Sequence, residues 1–316
     1  MDGTLHQLIK VAKLYYEDGL TQQAIAERLR LSRPKISRLL QQARDDRIVQ
    51  ITIAPPFGTH TDLERQLETC YGLEEALVVD VTHPDASALV MRELGAAAAD
   101  YFSHILQDHD IVGLTWGGTL AAMVDALSPQ KFQGVRVVQM VGGLGEPSAE
   151  IHATDVARRM AQMLDASLTV LPAPGIVDNS QGREILQMDK YVRNCLQLAA
   201  KANVVLAGIG ALKRDSVLMR DGNLITWDEV SSLISQGAVG DIALRFFDIH
   251  GRPVAAEINE RVLGVDLPTL KSLPRVIGVA GGSSKFEAIL GAVRGKLVNS
   301  LVTDSATARQ LLKIAE

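Results

Sequence analysis

Cysteine is scarce in this chain, with two in 316 residues, Cys70 and Cys195. Neither belongs to a Cys-x-x-Cys pair and no histidine stands beside either at ligand spacing. This argues against a disulfide framework and a zinc site, and points to a reducing compartment. Long apolar runs are missing too. The opening MDGTLHQLIK lacks the apolar stretch of a signal peptide, and no window reaches about 18 continuous apolar residues, so a cytoplasmic protein with no membrane contact is expected. Two nucleotide signatures are absent: the GxxxxGK[ST] phosphate loop, and GxGxxG followed by an acidic residue about 20 positions on. The expectation is a protein without metal or cofactor.

What is present is divided unevenly along the chain. Residues 1–50 carry nine basic and six acidic side chains, a charge of +3, whereas 51–316 carry 23 and 31, a charge of −8. A small basic head on a large acidic body suggests that only the head approaches phosphate. The length favours two domains, read as 1–54, a linker at 55–60, and 61–316.

Within the head, TQQAIAERLRLSRPKISRLLQQARDDR (21–47) has apolar residues at Ala24, Ile25, Leu29, Ile36, Leu39, Leu40 and Ala43. That is helical spacing in two pieces, broken at Arg30-Leu31-Ser32. Thr21 and Ser32 are cap residues, and Pro34 falls in a first turn, where a missing N–H is harmless. Arg33, Lys35, Ser37, Arg38 and Gln41 lie off the apolar stripe, so one face packs and the other offers donors. This is the division of labour of a helix-turn-helix on double-stranded operator DNA. From Arg28 to Arg47 there are seven basic residues and two acidic ones. Thr21, Gln22, Ser32, Arg33, Lys35, Ser37 and Arg38 are the candidate DNA contacts. A preceding helix over 4–18, with Leu5, Leu8, Ile9, Ala12 and Tyr15 or Tyr16 inward, ends at Gly19. Being adjacent, Tyr15 and Tyr16 cannot share a helix face; core positions for both are the commoner outcome, the alternative being one in the core and the other reaching a DNA phosphate or a neighbouring domain. After Arg47, IVQITIAP alternates like a strand and reads as a short wing.

Beyond the linker, Asp62–Tyr71 reads as a helix with Leu63, Leu67 and Cys70 on one face. The strands expected are Ala76–Val81, 111–116, 135–141, 167–171, 203–209, 275–280 and 299–303, and the helices Thr119–Leu127, Glu150–Leu164, Asp189–Ala200, Lys285–Arg294 and Asp304–Ala315. The apolar runs are continuous, as buried parallel strands require, which predicts a doubly wound α/β domain. Ligands bind such sheets at the carboxyl ends of strands. Four of those junctions are glycine-rich: Trp116-Gly117-Gly118-Thr119, Gly142-Gly143-Leu144-Gly145, Gly208-Ile209-Gly210 and Gly281-Gly282-Ser283-Ser284-Lys285. Glycine lets backbone N–H groups approach an anion. The last junction joins two glycines, two hydroxyls and a lysine at a helix start, the groups that a phosphate needs.

Over nearly its whole length the chain resembles the SorC/DeoR-type sugar-binding transcriptional regulators. The resemblance is carried by LYYEDGLTQQAIAERLRLSRPKISRLL (14–40), GLTWGGTL (113–120), VVQMVGGLGE (137–146), LPAPGIV (171–177), AGIGAL (207–212), GAVGDIALRFFD (237–248), GVAGGSSKFEAILGA (278–292) and VNSLVTD (298–304). It implies a body similar to the glucosamine-6-phosphate deaminase and ribose-5-phosphate isomerase fold, used for sensing. The phosphate of a sugar or polyol effector would meet Gly117, Gly118 and Thr119 together with Gly281, Gly282, Ser283 and Lys285. Asp241 would hold sugar hydroxyls, a helix or turn cap being its other reading. The loop from Gly142 and Gly143 to His152 would close the site. Members that capture an aldehyde through a Schiff base have lysine where this chain has Val141, so covalent capture there is not expected. The resemblance also suggests a repressor and a homotetramer.

The alternative is a sugar-phosphate isomerase or deaminase with a DNA-binding head. Such an enzyme needs a placed general base and acid. Asp241, Glu146 and His152 form no carboxylate–histidine pair at a recognisable spacing, so a non-enzymatic regulator is the expectation.

Overall fold

The computed structural model describes residues 3–49, 59–83, 86–143, 153–213, 225–254 and 257–315. The chain divides into two compact units, Met1–Pro56 and Phe57–Glu316.

In the first unit three helices, α1 (Gly3–Tyr16), α2 (Gln22–Leu29) and α3 (Arg33–Asp45), enclose Leu8, Val11, Ile25, Ile36, Leu40 and Ala43. Thr21 caps α2, its hydroxyl accepting the Ala24 N–H at 3.2 Å. Arg30 then turns left-handed at φ 54°, and Leu31 N–H bonds back to Ala26 O, closing the joint between the two helices. Ser32 occupies the cap position of α3, but contrary to expectation its hydroxyl makes no capping bond; Pro34 opens that helix unaided. The buried face of α1 is Leu8, Val11, Ala12 and Leu14, so Leu5 and Ile9 point outward. Both tyrosines are also outside the core, stacked edge to face with ring centres 5.0 Å apart, because three short helices leave no interior for a second layer of rings. The expected wing strand and most of the linker fall on 50–58, outside the described residues.

The second unit opens with α4 (Thr61–Tyr71), in which Leu67 is buried while Cys70, expected inward, is exposed. Then come β1 (Glu75–Val79), α5 (Ser87–Ile105), β2 (Ile111–Leu114), α6 (Gly118–Ala126), β3 (Arg136–Gln139), α7 (Ala153–Met163), β4 (Ser167–Thr169), α8 (Ser180–Met188), α9 (Lys190–Ala199) and β5 (Val204–Gly208). After β6 (Gly210–Ala211) follow α10 (Trp227–Ser235), β7 (Ala238–Ile242), β8 (Arg245–Asp248), α11 (Glu257–Arg261), α12 (Leu267–Ser272), β9 (Arg275–Val279), α13 (Phe286–Arg294), β10 (Ser300–Asp304) and α14 (Ser305–Ala315).

All seven expected strands join one parallel sheet, in the order β1-β10-β9-β5-β2-β3-β4. Along β5, Val204 and Leu206 pack with α5, α6 and α7, while Val205 and Ala207 belong to the core on the other face with α4, α9 and α14. Burial on both faces is why these strands read as unbroken apolar runs, each such side chain contributing about 1.5–3 kcal/mol. The chain winds β2-β3-β4 outward, returns to the opposite side of β2 at β5, and continues to β9 and β10. The winding therefore reverses between β2 and β5, the point at which doubly wound sheets open a crevice.

Several parts were not expected, among them the short helices α8, α10, α11 and α12. Two others shape the fold most. The 19-residue helix α5 covers the sheet between β1 and β2. A second, three-stranded antiparallel sheet, β6-β7-β8, rises after β5. Its tight turn between β7 and β8 places Ala243 and Leu244 in left-handed conformations, at φ 52° and 62°. From β8 the buried Arg245 guanidinium donates to the carbonyls of Val265 (3.1 Å), Asn259 (2.5 Å), Val262 (3.3 Å) and Gly264 (3.3 Å), tying segment 259–265 to the hairpin.

Candidate functional site

At the reversal point the turns after β2 and β5 are locked together. Thr115, buried at the end of β2, accepts the Gly208 N–H on its hydroxyl at 3.0 Å, and a Cβ on Gly208 would stand 2.5 Å from Trp116 O. Gly117 then adopts φ 130°, facing open space, and α6 begins at Gly118. The first intrahelical bond runs from Ala121 N–H to Gly117 O, so the amides of Gly118, Thr119 and Leu120 lie ahead of it, beside the buried Thr119 side chain. Such amides and the helix dipole favour an anion.

Over β9 stands the GGSSK turn. The carboxylate of Asp304, at the end of β10, accepts the Gly282 N–H at 2.7 Å and holds Thr307 through both its amide (2.8 Å) and its hydroxyl (2.6 Å). Gly282 is therefore not a free donor as expected; glycine is needed there for φ 89°. A Cβ on Gly281 would collide with the same Asp304 carboxylate. The Lys285 N–H closes the turn on Gly282 O at 3.0 Å, leaving the amides of the exposed Ser283 and Ser284 ahead of it.

Beside the GGSSK turn and Gly210 lies Asp241 on β7, 4 % exposed. Its Oδ2 accepts the Leu244 N–H at 3.2 Å, so the turn-capping reading holds, while Oδ1 rests where a side chain on Gly210 would have to be. Burial pushes its carboxyl up to about 6 from 3.8, against the opposing pull of the Leu244 amide and the Lys285 ammonium. Burial also lowers Lys285 below its usual range, with Asp241 opposing that shift. The two residues thus share one electrostatic environment, brought together because Gly240 packs against Ala288 on α13 with no room for a side chain.

The sign of the Asp241 shift gives a prediction. With the folded value above the unfolded one, the folded protein binds more protons than the unfolded chain between about pH 4 and 6. Stability contributed by this group falls as pH rises through that window, and above it the buried carboxylate destabilises by at most about 3 kcal/mol. Asp241→Asn, which keeps an acceptor for Leu244, should raise the thermal midpoint at about pH 7.5 and lose that advantage near pH 4.5. Equal differences at both pH values would refute the burial argument.

Gly142 and Gly143 do not offer their amides to this crevice. Gly142 N–H donates to Leu263 O (3.0 Å) and Gly143 N–H to Ala173 O (2.8 Å), closing bridges between distant loops. At Gly142 the lack of a side chain serves close packing, since a Cβ there would lie 2.5 Å from Ala173 O. His152 lies outside the described residues.

In the helical head, Thr21, Ser32, Arg33, Lys35, Ser37 and Arg38 are exposed and Gln22 is half-buried, while Ile36, Leu39, Leu40 and Ala43 turn inward. Reasoning from sequence missed Thr115 and Asp304 as supports of the crevice. Asp304 carried a local signal, an aspartate three residues ahead of Thr307 at a helix start. Among the described residues no group of histidine, cysteine and carboxylate side chains could hold a metal, and no helix is long and apolar enough to cross a membrane.

Comparison with known proteins agrees with this architecture. Residues 55–313 match the family described as "Putative sugar-binding domain". The chain is 36% identical over 313 residues to the deoxyribonucleoside regulator of Bacillus subtilis, covering 99% of each chain. It is 32% identical to the sorbitol operon regulator of Klebsiella pneumoniae, covering 97% of each. The crystal structure of that species' full-length sorbitol operon regulator SorC superposes with a TM-score of 0.73 at 30% identity, over 98% of this chain and 99% of that one. These relatives are regulators, and the isomerase or deaminase alternative has no support among them. The chain belongs to the sugar-binding domain family and is a transcriptional regulator of the SorC/DeoR type.

Proposed function

We propose that the crevice between β2, β5 and β9 receives a phosphorylated sugar or polyol, and that its occupancy weakens the grip of the helical head on the operator of a carbohydrate-catabolic operon, making the protein a repressor. The observation that carries this reading is the polarity of the crevice. Gly117, Gly118, Thr119, Ser283 and Lys285 offer anion donors, while the buried Asp241 offers an acceptor for hydroxyls. The donor turns stand over strands two apart, about 10 Å by the usual inter-strand spacing, a gap for an extended sugar phosphate to fill. No cofactor is required by this reading. A thermal-shift panel of phosphorylated and free sugars tests it. A true effector at a hundredfold excess over its Kd should add about 2.7 kcal/mol of stability. A panel in which free sugars shift the protein as far as their phosphates would argue against the phosphate end.

In the same reading Arg33, Lys35, Ser37 and Arg38 face the major groove, with Thr21, Gln22 and Ser32 near the backbone. A bidentate base contact discriminates by about 1–3 kcal/mol. Arg38→Ala should therefore lose operator affinity about five- to a hundredfold in a fluorescence titration while binding effector normally. Undiminished operator binding would remove Arg38 from the interface. One helix-turn-helix makes a small contact, and paired heads reading spaced half-sites are the usual remedy, so a homo-oligomer, a tetramer by family resemblance, is part of the proposal.

A further inference from the structure

Four side chains fasten α4 to β1 and α14. Glu64 accepts the Val78 N–H at 2.9 Å and Glu68 the Ala76 N–H at 3.0 Å, so two backbone amides of the edge strand β1 are satisfied from the helix. Tyr71 ties the far end to Leu311 O on α14. At the near end His60 reaches past the end of β1, and its Nε2 meets Asp80 Oδ1 at 2.7 Å. Because an ionised carboxylate only accepts, the Nε2–H is the donor. The first three bonds are partly buried, whereas this one is exposed, with 61% of the Asp80 side chain open to solvent. Exposed pairs are held weakly, so this end of α4 is the one that yields without disturbing the others.

Asp80 has a second partner. The bonds from His60 and from Ser305, the first residue of α14, hold its carboxyl below the usual range, and Arg309, which donates to the Ser305 hydroxyl at 3.3 Å, adds its charge. Ser305 directly follows Asp304, whose buried carboxylate accepts the Gly282 N–H of the GGSSK turn and caps α14 at Thr307. An anion entering that turn stands beside a like charge and competes with it for the Gly282 amide. Asp304 cannot shift without carrying Ser305.

We propose that Gly282, Asp304, Ser305, Asp80 and His60 form a relay through which an anion in the GGSSK turn changes how firmly α4 is held at the end from which the chain leads back to the helical head. Its two states are the His60–Asp80 contact made and broken, while the partly buried bonds keep the remainder of α4 in place in both. His60 is thus a positioning residue, acting through Asp80. The inference rests on the anion reading of the turn and adds the route by which occupancy leaves the crevice.

Peptide-level hydrogen exchange of the full chain, with and without inorganic phosphate, reads both ends of the relay. In wild type, phosphate is expected to slow exchange at 281–286 and to change it at 61–65, at the start of α4, by about fivefold, the low end of ordinary coupling between sites. In His60→Ala and Asp80→Ala the turn should respond as before while 61–65 does not. His60→Gln, whose amide donates to Asp80, should restore the response. A merely structural His60 would alter exchange at 61–65 equally with and without phosphate. A response at 61–65 that survives in both alanine variants, or its absence in a wild type whose turn responds, overturns the relay and leaves the anion site standing. If phosphate leaves 281–286 of wild type unchanged, the anion reading fails and the relay with it.

Discussion

Lys285→Ala should bind a phosphorylated effector ten- to a hundredfold more weakly than wild type, with affinity for the corresponding free sugar unchanged. The loss corresponds to about 1.5–3 kcal/mol, the range for hydrogen bonds to charged groups. The lysine side chain is held half-buried at the first turn before α13, where burial already lowers its proton affinity and Asp241 partly restores it. An arriving phosphate favours the charged ammonium further, and removing the amine removes a charge-assisted bond that the amides of Ser283 and Ser284 cannot replace. Asp241→Ala provides the contrast. As the partner of hydroxyls it should weaken both forms of the sugar alike. Calorimetric titration of the three proteins with one sugar in both forms decides the matter. Retention of the phosphate preference by Lys285→Ala would move the anion site elsewhere, with Gly117–Thr119 the next candidate.

The largest effect on stability is expected from Arg245→Ala. Four backbone carbonyls, of Asn259, Val262, Gly264 and Val265, accept from this one guanidinium, and burial pulls its proton affinity down to about 10, partly offset by Asp266. Four bonds at about 1 kcal/mol each, with buried carbonyls then left unpaired, give a loss of roughly 3–5 kcal/mol. For a unit of this size that lowers the thermal midpoint on the order of 10 °C. Arg245→Lys should recover little, because one ammonium cannot reach carbonyls spread over seven residues. A midpoint within about 2 °C of wild type would mean that segment 259–265 is held by its other bridges, to Val141 and Ile176.

The parallel sheet was legible because strands buried on both faces leave continuous apolar runs that no loop imitates. Helix α5 was equally legible in principle, with Val90, Leu94, Ala98 and Phe102 at helical spacing, yet it stands between two strands where only a connection was expected. The hairpin in GAVGDIALRFFD was hidden for a different reason. Its turn uses Ala243 and Leu244 where Asn-Gly would have announced it, and Asp241 and Arg245 stabilise it from positions whose roles appear only in three dimensions. The glycines show the limit most clearly. Gly117, Gly142 and Gly282 look alike in sequence, but the amide of Gly142 is claimed by Leu263 and that of Gly282 by Asp304, partners 121 and 22 residues away. No local pattern distinguishes a free donor from an occupied one.

Among the described residues the edge strand β1 pairs with β10 alone, Glu75 beside Ser300 through Val79 beside Asp304, and Tyr71 donates its hydroxyl to Leu311 O at 2.7 Å. The beginning of the effector unit is therefore completed by β10 and α14, segments more than 200 residues further along the chain. During synthesis the helical head, whose core is drawn from residues 8–43, has everything it needs once it leaves the ribosome, whereas the effector unit cannot close until β10 and α14 have been made, more than 200 residues after β1. Each nascent chain thus passes through an interval with a folded reading head and an unfinished receptor, longer than a unit whose sheet closed in sequence order would impose.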